Sequence, residues 1–144
     1  MNTPVSYIAH QAYNLRRITL QMSGYSQSGH PTSCLSAADI VATLFLHTMH
    51  FDPDKFDYPN NDRFILSKGH ASALLYAMWH LLGKVSAEEL HHYRKFDSFL
   101  EGHATRRFAY TEAATGALGT GLGIAVGEAS VSYTHLLHLV QFFY

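Results

Sequence analysis

A chain of 144 residues is long enough for one domain, and its 15% charged content lies below the about 25% usual for soluble domains, so some apolar surface is expected to face a partner or further sequence. The net charge is -1, and the basic residues are scattered as Arg16-Arg17, Lys68, Arg94-Lys95 and Arg106-Arg107 with no stripe to follow a phosphate backbone, which excludes nucleic acid as an expected partner. One cysteine, Cys34, rules out an internal disulfide and a cysteine-rich zinc site, while the absence of a secretory apolar core and of any run near the roughly 20 residues of a membrane span leads to the expectation of a soluble, cytoplasmic protein with no membrane partner.

From Val5 to Met22 the apolar residues Ile8, Ala12, Leu15, Ile18 and Met22 recur at steps of three and four, which predicts a helix ended by Gly24. Ser26 to Ser33, with Pro31, reads as a loop that presents His30. Ser36 and Asp39 have capping-box spacing and predict the start of a second helix whose buried side is Ile40, Val41, Leu44 and Phe45. Turn formers fill Asp52 to Asp62, and Arg63-Phe64-Ile65-Leu66 then reads as a short buried strand. Ser67-Lys68-Gly69-His70 is the connecting loop, placed where open α/β sheets bind ligands at the carboxyl ends of parallel strands. Leu74, Leu75, Met78 and Leu82 predict a helix to Gly83, and Ser86 with Glu89 caps a further one to about Arg94. After a loop through Gly102-His103, the glycine-rich run is expected to open a helix from about Gly119 to Ser130.

Three Gly-His steps stand in this order: Gly29-His30 in SGHPTS, Gly69-His70 in LSKGHAS and Gly102-His103 in EGHAT. Three is only a modest excess over random placement of 10 Gly and 11 His, so the neighbours carry the argument. A residue without a Cβ lets the backbone approach a ligand closely, and the following imidazole offers a donor and an acceptor that titrate near neutrality. The run TGALGTGLG from Thr115 to Gly123 fits neither the dinucleotide fingerprint GxGxxG nor the phosphate loop GxxxxGK. On its own it is more readily a flexible helix entry than a ligand loop, just as a solitary loop histidine is usually a surface or structural residue.

Taken together, SGHPTSCLSAADI, NDRFILSKGHAS and ATGALGTGLG resemble the amino-terminal part of transketolase, in register from about Ile8 to about Ala129. The resemblance implies the first part of a three-layer α/β thiamine-diphosphate-binding fold, predominantly helical in the covered portion, over residues 1–130. It implies transfer of a two-carbon ketol unit between sugar phosphates, with thiamine diphosphate and magnesium as cofactors. His30 and His103 would face the sugar hydroxyls as catalytic acid-base or polarising groups. Ser33 and His70 would lie near the diphosphate, while Gly116, Ala117 and Leu118 would contact the heterocycle. The expectation is that imidazoles 30, 70 and 103 converge with the backbone around residue 118. The complete enzyme would be a homodimer or have a split-subunit partner.

The family's Gly-Asp-Gly segment and downstream Asn, which hold magnesium, do not occur in these residues, so the chain alone is expected to be inactive with its magnesium ligands elsewhere. The stretch VSYTHLLHLVQFFY, residues 131–144, is left unassigned as an apolar tail that departs from the family, by divergence or through a foreign or frame-shifted junction. Dihydroxyacetone synthase and deoxyxylulose-phosphate synthase are alternatives of the same chemistry, with LSKGHAS favouring transketolase over the latter. A noncatalytic interaction fragment is the alternative of another class. Lys68 ranks below the histidines as a phosphate contact. The pairs His47/His50 and His135/His138 lack an evident third ligand and His91-His92 diverge on a helix, so no metal site is assigned. Neither Cys34 nor Glu88, Glu89, Glu101, Glu112 and Glu128 form a recognisable nucleophile or carboxylate pair.

Overall fold

The computed structural model describes residues 3–135 and 140–143. In chain order the elements are α1 (Val5–Ser26), α2 (Pro31–Thr43), a π-helical turn (Leu44–Thr48), β1 (Arg63–Leu66), a 3-10 turn (Gly69–Ala71), α3 (Ser72–Leu81), α4 (Ala87–Leu90), α5 (Thr120–His135) and β2 (Val140–Phe143). This is the expected α/β composition with helix predominant. The chain forms two compact units, Met1–Met49 with His70–Gly102, and His50–Gly69 with His103–Tyr144. Among the described residues no helix is long and apolar enough to cross a membrane.

The first unit is built on α1, α2 and α3. Ala12, Leu15, Ile18, Thr19 and Met22 form the buried stripe of α1, close to the predicted set, and α2 answers with Cys34, Ala37, Ala38, Val41 and Ala42. The short side chains of α2 allow close helix approach. Ser72 to Trp79 of α3 are all buried, so this helix is enclosed on every side, and its Trp79 ring meets Phe45 edge-on at 6.0 Å.

Three sequence expectations in this unit are corrected. Gly24 lies inside α1, which runs to Ser26 and ends where Gln27 turns left-handed at φ 50; the Gln27 side-chain amide and the Ser28 N–H close the last turn on the carbonyls of Gly24 and Ser23. The second helix starts at Pro31, five residues before Ser36, because the fixed φ of proline suits a first helical position; Ser36 is interior, donating to the Ser33 carbonyl at 3.0 Å, Asp39 pairs with Arg16, and Ile40 is exposed. The Ser86/Glu89 capping box forms as expected, but α4 stops at Leu90 instead of continuing to Arg94. His91 and His92 are exposed and give no apolar continuation, and Arg94 turns back at φ 62 with its N–H donating to the Leu100 carbonyl at 2.8 Å.

In the second unit β1 occupies the predicted residues and pairs in parallel with β2, from Arg63 opposite Val140 to Leu66 opposite Phe143. Phe64, Ile65 and Leu66 are buried in succession, the mark of a strand covered on both faces. Upstream, Asn61 closes the predicted turn segment: its Oδ1 accepts the Asp52 N–H at 2.9 Å and its Nδ2 donates to the Lys55 carbonyl at 2.7 Å. The glycine run opens α5 at Thr120, one residue later than expected, and the helix continues past Ser130 to His135. Of the stretch 131–144, residues 136–139 and 144 lie outside the described residues, and with them His138 of the expected His135/His138 pair.

Candidate functional site

His30 sits at the cap position of α2 with φ -127 and ψ 65, between Gly29 at φ 126 and Pro31 in the first helical turn. A side chain at Gly29 would strain that φ, and Pro31 fixes the next one, so the sequence Gly-His-Pro sets the imidazole by its neighbours on both sides. His70 lies on the 3-10 turn that leads into α3. The two rings meet edge-on, with centroids 4.8 Å apart and planes at 90°. Ser33, expected at the end of the loop from Ser26, is instead half-buried in the first turn of α2, which Pro31 opens. Thus His30, Ser33 and His70 all belong to the first unit, with the two imidazoles in contact.

In the second unit, the end of β1 and the glycine run are held together by backbone approaches that only glycine permits. Thr115 Oγ1 donates to the Leu66 carbonyl, and a Cβ on Gly69 would overlap the Thr115 carbonyl group. A Cβ on Gly121 would overlap Ser67. The His103 ring lies against Gly116, where an added Cβ would stand 3.4 Å from Cδ2 of the imidazole. Gly119 has φ 94, Leu118 is 74% exposed, and Thr120 Oγ1 donates to the Ala117 carbonyl at 2.7 Å. Ala117 to Thr120 form a tight turn, closed by the Thr120 N–H donating to the Ala117 carbonyl at 3.3 Å, that follows Gly116 and presents Leu118 at the surface. Lys68 is half-buried beside Gly69.

Ser72 and Tyr76, to which no motif assigns a role, lie near these segments together with the carboxylates Glu112 and Glu128. Ser72 Oγ donates to the Gly102 carbonyl at 2.8 Å and the Tyr76 hydroxyl to the Glu101 carbonyl at 2.9 Å, which ties down the residues before His103. Burial, helped by Tyr93 and Glu101, raises the Tyr76 phenol far above its ordinary range, so it remains a donor. Arg63 pairs with Glu112 at 3.1 Å, and burial raises Glu128 above the usual carboxylate value, Glu112 adding to the effect and Arg63 and Arg106 opposing it.

A family model described as "Transketolase, thiamine diphosphate binding domain" matches residues 9–138. The chain is 49% identical to the human protein named transketolase over 118 residues, 82% of this chain and 19% of that protein. To transketolase-like protein 2 of Bos taurus it is 47% identical over 127 residues, 88% of this chain and 20% of that one. Among solved structures, the transketolase of Campylobacter jejuni superposes with a TM-score of 0.83 at 38% identity, covering 88% of this chain and 20% of that one. A Pichia stipitis transketolase in complex with sedoheptulose 7-phosphate gives 0.80 at 33% identity, with coverage of 88% and 20%. The chain spans about a fifth of the length of the relatives it matches.

Proposed function

Because the chain belongs to the transketolase thiamine diphosphate binding domain family, we propose that it forms part of an enzyme that moves a two-carbon ketol unit from a ketose phosphate to an aldose phosphate. The observation that carries this reading is the edge-on contact of His30 and His70, two imidazoles 4.8 Å apart on backbones set by glycine and proline.

The residues present fit the cofactor. Gly116, Ala117 and Leu118 supply the small residues and exposed surface that a planar aminopyrimidine or thiazolium ring needs, and Gly116 lies in van der Waals reach of the His103 ring. When bound, thiamine diphosphate supplies an acidic ring carbon and an electron sink for breaking a ketose carbon–carbon bond. Ser33 and His70 are the residues that would hold its diphosphate, by donating hydrogen bonds to the phosphate oxygens. His30 and His103 polarise the sugar: an imidazole nitrogen accepts the proton of a donor-sugar hydroxyl and returns it to the carbonyl oxygen of the acceptor aldehyde. Among the described residues no group of three or more His, Cys, Asp or Glu side chains is assembled, so magnesium is assigned no ligand here and no step is derived through it. A partner subunit and a cytoplasmic location are part of the same proposal.

The test is a chimera in which residues 9–138 replace the matching segment of the Campylobacter jejuni transketolase. The chimera is expected to turn over a ketose phosphate donor, and His103→Ala in it to lower kcat/KM by about 100-fold or more, the usual worth of positioned acid-base catalysis. A chimera that is folded by circular dichroism and melting yet turns over no donor sugar rejects the reading.

A further inference from the structure

We propose that Tyr93 and Ser72 form a buried positioning pair that fixes the backbone at Gly29-His30, at the turn carrying His70, and at the Gly102 carbonyl. The role rests on the proposed function, since the imidazoles being placed are those of that site. Neither residue was singled out by any sequence pattern.

Ser72 is 0% exposed and Tyr93 1%. The Ser72 hydroxyl proton is committed to the Gly102 carbonyl at 2.8 Å, so in the 3.4 Å contact between Tyr93 and Ser72 the phenol is the donor. The relay thus runs from Tyr93 through Ser72 to the carbonyl of the Gly102–His103 peptide. The same phenol lies against Gly29 together with Ser23: a Cβ placed there would stand 3.3 Å from Ser23 Oγ and 3.6 Å from both Cε1 and the hydroxyl oxygen of Tyr93. Ser72 itself is the first residue of α3, two positions after His70, so anchoring its side chain anchors the turn that carries that imidazole.

A second strut runs parallel to the first. Tyr76, one helical turn after Ser72, meets Tyr93 edge-on at 6.0 Å and donates to the Glu101 carbonyl at 2.9 Å. Two consecutive carbonyls, 101 and 102, are therefore held by hydroxyls at i and i+4 of a fully enclosed helix. Arg94 closes the other side, its guanidinium lying against Gly102. The arrangement gives rigidity where acid-base chemistry needs it, because misplacement of a reacting group by about 1 Å can cost about 100-fold in rate.

The experiment compares Tyr93→Phe and Ser72→Ala with Val41→Ala, a core truncation on α2 outside the relay, in the full 144-residue chain labelled for histidine-ring NMR. Tyr93→Phe keeps the ring under Gly29 and removes only the donor; Ser72→Ala removes both bonds. Expected are shifted or exchange-broadened ring-nitrogen signals of His30 and His70 in both relay variants, with Val41→Ala leaving them as in the parent chain despite its lower melting temperature. Ring signals in Tyr93→Phe that move no more than in Val41→Ala overturn the proposal; should Ser72→Ala fail to fold, Tyr93→Phe decides in the same way. In the chimera, Tyr93→Phe is expected to lower kcat about 10-fold with donor KM nearly unchanged, whereas a merely stabilising residue would lower the yield of folded enzyme and leave kcat alone. If the parent chimera has no turnover, the functional reading falls, and the ring-nitrogen comparison alone upholds or overturns the positioning pair.

Discussion

The Cys34 thiol, 1% exposed on α2, is pushed up to about 11 by burial, with backbone contacts from Leu74 and Ala73 opposing the shift. Its ordinary value is 9.0, so the unfolded chain releases this proton first as pH rises. The stability that the buried neutral thiol contributes is present below pH 9 and is lost between about pH 9 and 11, because the folded state retains the proton longer than the unfolded one. Urea unfolding across that range is expected to show a falling midpoint, and Cys34→Ala or Cys34→Ser to remove that part of the fall. At neutral pH the thiol is expected to resist alkylation until the chain unfolds. At this scale the Gly-His steps were legible, since glycine announces backbone constraint and histidine announces chemistry in a single pair of letters. Tyr93 and Ser72 were not, because their value lies in a contact across 21 positions that no local pattern encodes.

Among the elements, the parts visible in advance were those governed by strong periodicity or a compact apolar run: α1 by its buried stripe, β1 by four residues between turn formers, and the opening of α5 by its glycines. Boundaries failed where two local signals competed. Ser36 and Asp39 mimic a cap, yet Pro31 starts α2 earlier; Gly24 looks like a stop, yet the helix absorbs it. The two roles of glycine that result can be separated by substitution. At Gly24 an added Cβ meets nothing within 4 Å, so Gly24→Ala is expected to stabilise the chain by about 0.4–1 kcal/mol through a less free unfolded state. At Gly121 it would run into the Ser67 backbone, so Gly121→Ala is expected to cost about 1–3 kcal/mol as α5 is pushed from the end of β1. Chemical denaturation of both variants checks the opposite signs.

For the chain as a whole, the family match over residues 9–138 agrees with the resemblance read from the motifs, and it extends eight residues into the stretch that had been set apart at 131. The low charged fraction of 15% has its structural counterpart in apolar residues left on the surface, among them Leu122, Val126 and Val131 along α5. In the proposed site the diphosphate would meet only Ser33 and His70, too little positive charge to offset its own, and no metal-ligand cluster is assembled among the described residues. The 144-residue chain is therefore expected to bind thiamine diphosphate only in the millimolar range, about 4 kcal/mol, with or without magnesium, as read by calorimetry. Tight magnesium-dependent binding would show that the chain completes the anion site by itself.

The enclosure of α3 gives the protein a built-in optical reporter. Trp79 is the one tryptophan of the sequence, 2% exposed and edge-on to Phe45 within the first unit. Its emission reports the packing around α3, while amide exchange in β1 reports the second unit, so the two followed side by side read the melting of each unit.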